Sequence, residues 1–126
     1  MRSTMQTEPL KISTILQFGT SVHKDAVVTT WTDQGPRSLT FAELGARAAQ
    51  LAHALRGLGV DGDQRVATFQ WNNSEHMEAY LAVPSMGAVL HPLNIRLFPD
   101  QLEFIANHAE DKVLIVDPSL IPLLQP

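Results

Sequence analysis

The sequence predicts an α/β fold: a partial, doubly wound parallel sheet flanked by helices, preceded by a short helix and a β-hairpin. Three observations carry that prediction. From Val66 onward, apolar runs suited to buried strands alternate with helical patterns in the order strand, helix, strand, helix, strand. Each crossover is long enough for a parallel connection. Ahead of them, a capping box opens a long amphipathic helix able to cover the sheet.

The elements follow in order. Residues 1–11 form a polar, flexible lead-in, and residues 12–126 form one partial domain. Ile12, Ile15, Leu16 and Phe18 give a short helical stripe ending near Val22. The β-branched run of residues 26–31 reads as a strand. Asp33-Gln34-Gly35-Pro36 is a turn, and Arg37-Ser38-Leu39 returns as its partner. Thr40 and Glu43 then stand three apart, so that each side chain can satisfy the other's free backbone N–H. Phe41, Leu44, Ala48, Leu51, Leu55 and Leu58 recur behind them at steps of three and four, and Gly57 and Gly59 stop the helix.

Residues 65–69 read as a buried strand, with Asn72, Asn73 and Ser74 as N-cap candidates for the next helix. Pro84 should end or kink that helix. Residues 88–91 make a second strand closed by Pro92, and Pro99 suits a first helical position. Val113-Leu114-Ile115-Val116 is the continuous apolar run of a strand covered on both faces. The apolar residues 118–126 look like the start of a helix with nowhere to dock, and a three-stranded sheet of this kind reads as unfinished.

Composition narrows the function. The 126 residues are 44% hydrophobic and 17% charged, which suits one folded domain with a single core. The balance of 9 Lys and Arg against 13 Asp and Glu leaves −4, and no basic cluster tracks phosphates, so no nucleic-acid partner is indicated. Without cysteine there is no disulfide framework and no thiolate metal site. No apolar run approaches the roughly 20 residues of a transmembrane segment, and the expectation is a cytoplasmic protein.

Candidate chemistry is sparse. His23, His53, His76, His91 and His108 contain no pair at the i, i+4 spacing of a two-His metal site, so they read as surface or packed imidazoles. Glu75, Glu78, Glu110 and Asp111 offer paired carboxylates, but Glu75 and Glu78 fall in a first helical turn, where the helix dipole alone favours acids. Gly57, Gly59 and Gly62 follow a helix and precede a strand, the reverse of a dinucleotide fingerprint. No P-loop and no nucleophile elbow occurs. The candidate ligand-side loop is therefore His91, Asn94 and Arg96, expected just past the carboxyl end of a strand, where open α/β sheets bind ligands. The plainer reading has Asn94 and Arg96 holding that loop.

Residues 38–44, 49–60 and 62–67 resemble the opening of adenylate-forming enzymes: acyl-CoA synthetases, luciferases and peptide-synthetase adenylation domains. Residues 78–91, Asn94-Ile95-Arg96-Leu97 and Asn107-His108-Ala109-Glu110-Asp111-Lys112 are similar to medium- and long-chain fatty-acyl-CoA synthetases. The resemblance covers about residues 12–124. It implies a two-step ligase using ATP, Mg²⁺ and coenzyme A, in which a fatty acid is adenylated and CoA then displaces AMP. That chemistry needs a Ser/Thr/Gly-rich loop ending in Lys, an acid on the ribose and a C-terminal lysine, and no position here matches them. No catalytic, cofactor-binding or metal-binding residue carries over, and the chain alone is expected to be catalytically silent.

Three functions stay open at this stage. The chain is a scaffold fragment of such a synthetase, a homodimerisation or interaction module, or a small independent domain binding a nucleotide or acyl ligand near Asn94 and Arg96. One residue departs from the family pattern. Phe98 precedes Pro99 where Ser or Thr is usual, and Phe cannot cap the free N–H groups, at a cost of about 1 kcal/mol.

Overall fold

The computed structural model describes residues 4–124. Residues 1–3 of the expected lead-in and residues 125–126 lie outside them, and residues 4–10 carry no helix or strand. The order is α1 (Ile12–Val22), β1 (Val27–Thr32), β2 (Gly35–Thr40), α2 (Phe41–Gly57), β3 (Arg65–Phe69), α3 (Ser74–Ser85), β4 (Val89–Pro92), α4 (Pro99–Ala109), β5 (Val113–Val116) and a closing 3-10 helix, Pro118–Leu124.

Local chemistry explains most boundaries. The Thr40 N–H donates to Glu43 Oε2 at 2.7 Å, and the Glu43 N–H donates to Thr40 Oγ1 at 3.2 Å, so the capping box forms as expected. These bonds, the one from the Thr40 backbone most of all, hold the Glu43 carboxyl below its ordinary range. Asn73 caps α3, its Oδ1 accepting the His76 N–H at 2.8 Å. Pro84 sits one residue before the end of α3, in the last turn. Phe98 gives α4 no side-chain cap, but Gln101 Oε1 reaches back to the Phe98 N–H at 3.2 Å and supplies half of a capping box.

Three helices end in the same six-residue closure. After α2, Val60 N–H donates to Leu55 O and Gly59 N–H to Arg56 O; after α3, Ala88 pairs with Val83 and Gly87 with Pro84. Gly59 and Gly87 take the positive φ that this closure demands. After α4 the position falls to Glu110, at φ 54°, with Asp111 N–H on Ala106 O. Arg65, at the start of β3, donates through Nε to Ala109 O and pairs with Glu110 Oε2 at 3.2 Å, which suits a cation to a helix C-terminus.

The hairpin is a separate two-stranded sheet, and β4-β3-β5 is a parallel three-stranded one. Ala67 of β3 stands opposite His91 on one side and Leu114 on the other. Alternation along β3 divides the core in two. Val66 packs with Leu55, Val60, Val83 and Ala88 under α2 and α3. Ala67 and Phe69 pack with Leu93, Leu102 and Leu120 under α4 and the 3-10 helix.

Three expectations change. β5 is an edge strand with Leu114 partly exposed, not a strand covered on both faces. The closing apolar segment does dock, because Leu120 is buried against the second core. The α1 stripe splits: Ile12, Ile15 and Phe18 face solvent, and the helix packs inward through Leu16, Gly19 and Thr20.

A candidate crevice at the strand ends

Strand order decides where a ligand crevice can lie. The chain leaves β3 into α3 on one face of the sheet and leaves β5 into the 3-10 helix on the other. Neighbouring strands whose exits diverge make the topological switch point, so the crevice falls between the carboxyl ends of β3 and β5. The expected loop lies one strand away, beyond β4.

His91, Asn94 and Arg96 are not gathered into one constellation. His91 is the third residue of β4 rather than the first beyond it, and its Nδ1 lies 2.9 Å from Asp111 Oδ2. The Asp111 side chain is almost wholly buried, and this contact ties β4 to the turn ahead of β5. Asn94 Oδ1 accepts the Arg96 N–H at 3.0 Å, a local turn that holds the loop. The Arg96 side chain is exposed.

At the switch point the walls are Gln70, Trp71 and Asn73 from the β3 exit and Asp117 and Ser119 from the β5 exit. Asp117 N–H donates to Phe69 O at 3.0 Å, continuing the ladder one residue past β5. Asn73 Nδ2 donates to Asp117 Oδ2 at 3.2 Å, and Trp71 Nε1 donates to Ser119 Oγ at 2.9 Å. Ser119 returns to Asp117 Oδ1 through both its N–H and its hydroxyl. Gln70 Oε1 is buried with no hydrogen-bond partner among the described residues. The N-terminus of α3 opens here, but Thr30 Oγ1 already accepts the Ser74 N–H at 2.8 Å and Asn73 takes that of His76. The arrangement is a cross-braced wall whose polar groups mostly satisfy one another.

Of these residues, sequence reasoning identified only Asn73, as a cap candidate. The available signal was its position directly after the first strand of the alternating series. Asp117 and Ser119 gave none, because the neighbour relation between β3 and β5 follows from strand order.

The four carboxylates weighed as acid–base candidates are all occupied. Glu75 pairs with Arg37 at 2.6 Å, Glu78 with Arg47, Glu110 with Arg65, and Asp111 with His91. Burial opposes ionisation of Glu75, but its own backbone N–H and the Arg37 and Ser74 bonds lower its pKa on balance. His76 meets Thr68 Oγ1 at 2.9 Å, and burial pushes its imidazole toward the neutral form, opposed by the Trp71 backbone.

ATP and Mg²⁺, which the resemblance implies, find no matching residues here. Among the described residues no three His, Asp or Glu side chains converge on a metal position. Gly19-Thr20-Ser21 with Lys24 beyond is the nearest approach to a Ser/Thr/Gly-rich phosphate loop. It is helix through Val22, with Gly19 buried against Phe41, so its backbone cannot cradle phosphates.

A doubly wound sheet with helices on both faces and a polar wall at its switch point defines the class: an α/β unit of the kind that opens adenylate-forming enzymes. The inhibitor-bound N-terminal domain of FACL13 from Mycobacterium tuberculosis superimposes with a TM-score of 0.83 at 25% identity, over 90% of this chain and 28% of that one. The model of the AMP-binding enzyme family matches residues 17–125, and the chain belongs to that family. It is 46% identical to a long-chain-fatty-acid–CoA ligase of Thermus thermophilus over 98% of its own length. It is 38% identical to a 3-methylmercaptopropionyl-CoA ligase of Ruegeria lacuscaerulensis, again over 98% of its length. The chain spans 23% of the length of each of these two ligases.

Proposed function

We propose that the chain is the leading scaffold of an ATP-dependent fatty-acid–CoA ligase and that it is catalytically silent by itself. The observation that carries this reading is the self-satisfied wall at the switch point, where Asn73, Asp117, Trp71 and Ser119 are spent on one another. Such a wall shapes one side of a crevice. It offers no nucleophile, no free general base and no phosphate cradle. In the complete enzyme the reaction joins a carboxylate to ATP with loss of pyrophosphate, and the CoA thiol then displaces AMP, in the cytoplasm and with Mg²⁺. Residues beyond this chain supply those steps.

Acid selectivity also belongs elsewhere. Ligases named for a long-chain fatty acid and for 3-methylmercaptopropionate, acids of unlike size, share this region with the chain at 46% and 38% identity. A segment common to both is better suited to support than to selection.

The test is pyrophosphate release by the purified chain with ATP, Mg²⁺, CoA and fatty acids of several lengths. The expected rate equals the protein-free blank, and turnover above it overturns the reading. A second reading, an interaction module, is favoured by the exposed Phe98, Phe104 and Leu123 around α4 and the 3-10 helix. There the rest of the ligase or a second copy would complete the second core. Sedimentation velocity that finds only monomer across concentrations removes the second copy from this reading.

A further inference from the structure

α1 touches α2 closely at one place and leaves a gap beside it at another. A Cβ on Gly19 would meet Phe41 Cδ1 at 2.7 Å, and one on Gly45 of α2 would overlap Thr20 Cγ2. From Gly45 toward the N-terminus of α1, a groove of about 270 Å³ opens between α1, α2 and the last turn of α3.

Its lining has two characters. Leu16, Ala49, Ala52 and Met86 give it an apolar floor. Ser13, Gln17, His53, Arg56 and Ser85 add polar side chains, and no Asp or Glu lines it. None of these five side chains makes a hydrogen bond or an ion pair among the described residues. Ser85 Oγ is also buried, so its hydroxyl is a donor shut away from water without an acceptor, a cost that a bound acceptor would remove. All five can donate, and Arg56 carries a permanent positive charge. The neighbouring carbonyls at the ends of α2 and α3 already accept from the N–H groups of Leu58, Gly59, Val60, Met86, Gly87 and Ala88, which leaves the five donors to a ligand.

We propose that this groove binds a carboxylate with an unbranched apolar tail. Arg56, His53 and Ser85 Oγ meet the carboxylate, and the tail lies along Ala52, Ala49 and Leu16 toward Gly45. The size of the groove selects a slim occupant: a packed helix is about 10 Å across, and drug-sized ligands fill roughly 300–1,000 Å³. Charge selects the groove over the larger apolar cavity, of about 340 Å³, beside α4, because Glu103 lines that cavity and no cation does. The site is also separate from the crevice at the strand ends. α3 runs 12 residues from Ser74 at the crevice to Ser85, a distance of about 16 Å along the helix axis.

The experiment titrates the intact chain with decanoate below its micelle concentration, followed by calorimetry and by amide NMR shifts. Acetate shares the head without the tail, and decanol the tail without the charge. The expected result is saturable decanoate binding, with shifts gathered at residues 13–17, 49–56 and 82–86, and binding of either control weaker by about tenfold or more. Arg56→Gln should weaken decanoate binding by about tenfold. Ala49→Phe, at an exposed position, should fill the groove and abolish binding with the urea midpoint unchanged. No decanoate binding, equal binding of decanol, or decanoate binding unchanged in Arg56→Gln overturns the proposal. Shifts confined to residues 93–124 would place the ligand in the cavity beside α4 and overturn it as well. Pyrophosphate release enters none of these measurements, so they stand or fall apart from the silent-scaffold reading.

Discussion

The two helical layers over the sheet are built from similarly apolar sequence and end in opposite states. Under α2 and α3, Leu44, Leu55, Val66 and Val83 are fully enclosed. Under α4 and the 3-10 helix, Leu102 and Leu120 are enclosed while Phe98 and Phe104 remain 72% and 68% exposed. A cavity of about 340 Å³ also opens there among Leu93, Pro99, Leu102, Ala106, Leu114 and Leu124. The difference is one of partners. The first layer is covered in turn by α1 and sealed by the ion pairs from Arg37 and Arg47, whereas nothing among the described residues covers the second. A hydrophobic run therefore promises burial only where the fold supplies a surface to meet it.

That contrast can be broken by mutation, starting where the effect is largest. Leu55→Ala, in the closed layer, should cost about 2–5 kcal/mol in urea unfolding. Phe104→Ala, in the open layer, should cost under about 0.5 kcal/mol. Equal losses would mean that the open layer is covered in solution. Gly45→Ala should cost about 1–3 kcal/mol, because the added methyl forces α1 away from α2 at Thr20. Thr40→Ala should cost about 1 kcal/mol by removing one half of the capping box.

A pH series sharpens the comparison further. Burial depresses the His76 pKa below its ordinary 6.5 in the folded state. Below about 6.5 the unfolded chain therefore binds a proton that the folded chain refuses, and stability is lost as pH falls. His76→Gln should flatten that acid limb of the urea midpoint relative to wild type, and an unchanged slope would remove His76 from the account. The smallest effect concerns Glu110. Replacing it with Gly relieves its φ of 54° but gives up the Arg65 pair, for a net gain of up to about 1 kcal/mol.

Elements marked by local chemistry were legible in advance. The spans of α1, β3 and β5, the capping box at Thr40 and the Asn73 cap follow from residues within a few positions of one another. What local chemistry does not encode was missed. The outward turn of α1 depends on Gly19 and Gly45, which sit 26 residues apart, meeting Phe41 and Thr20 in space. The place of the crevice depends on the chain crossing back over β3 after β4, so that β5 pairs with the far edge of β3. His91 read as a ligand-side residue because its buried partner, Asp111, lies 20 residues away. A histidine beside a strand end gives no sign of such a bond.

The placement of β3 between β4 and β5 also has a consequence in time. The chain is made from its N-terminus at about 10 residues per second, so residues 93–124 emerge roughly three seconds after β4. The closed layer needs only residues up to β4 for most of its contacts, and it can assemble while the rest is still being made. One edge of β3 then waits unpaired for β5. The order in which the strands leave the ribosome thus gives this small sheet a finished side and a waiting side before the last residue is added.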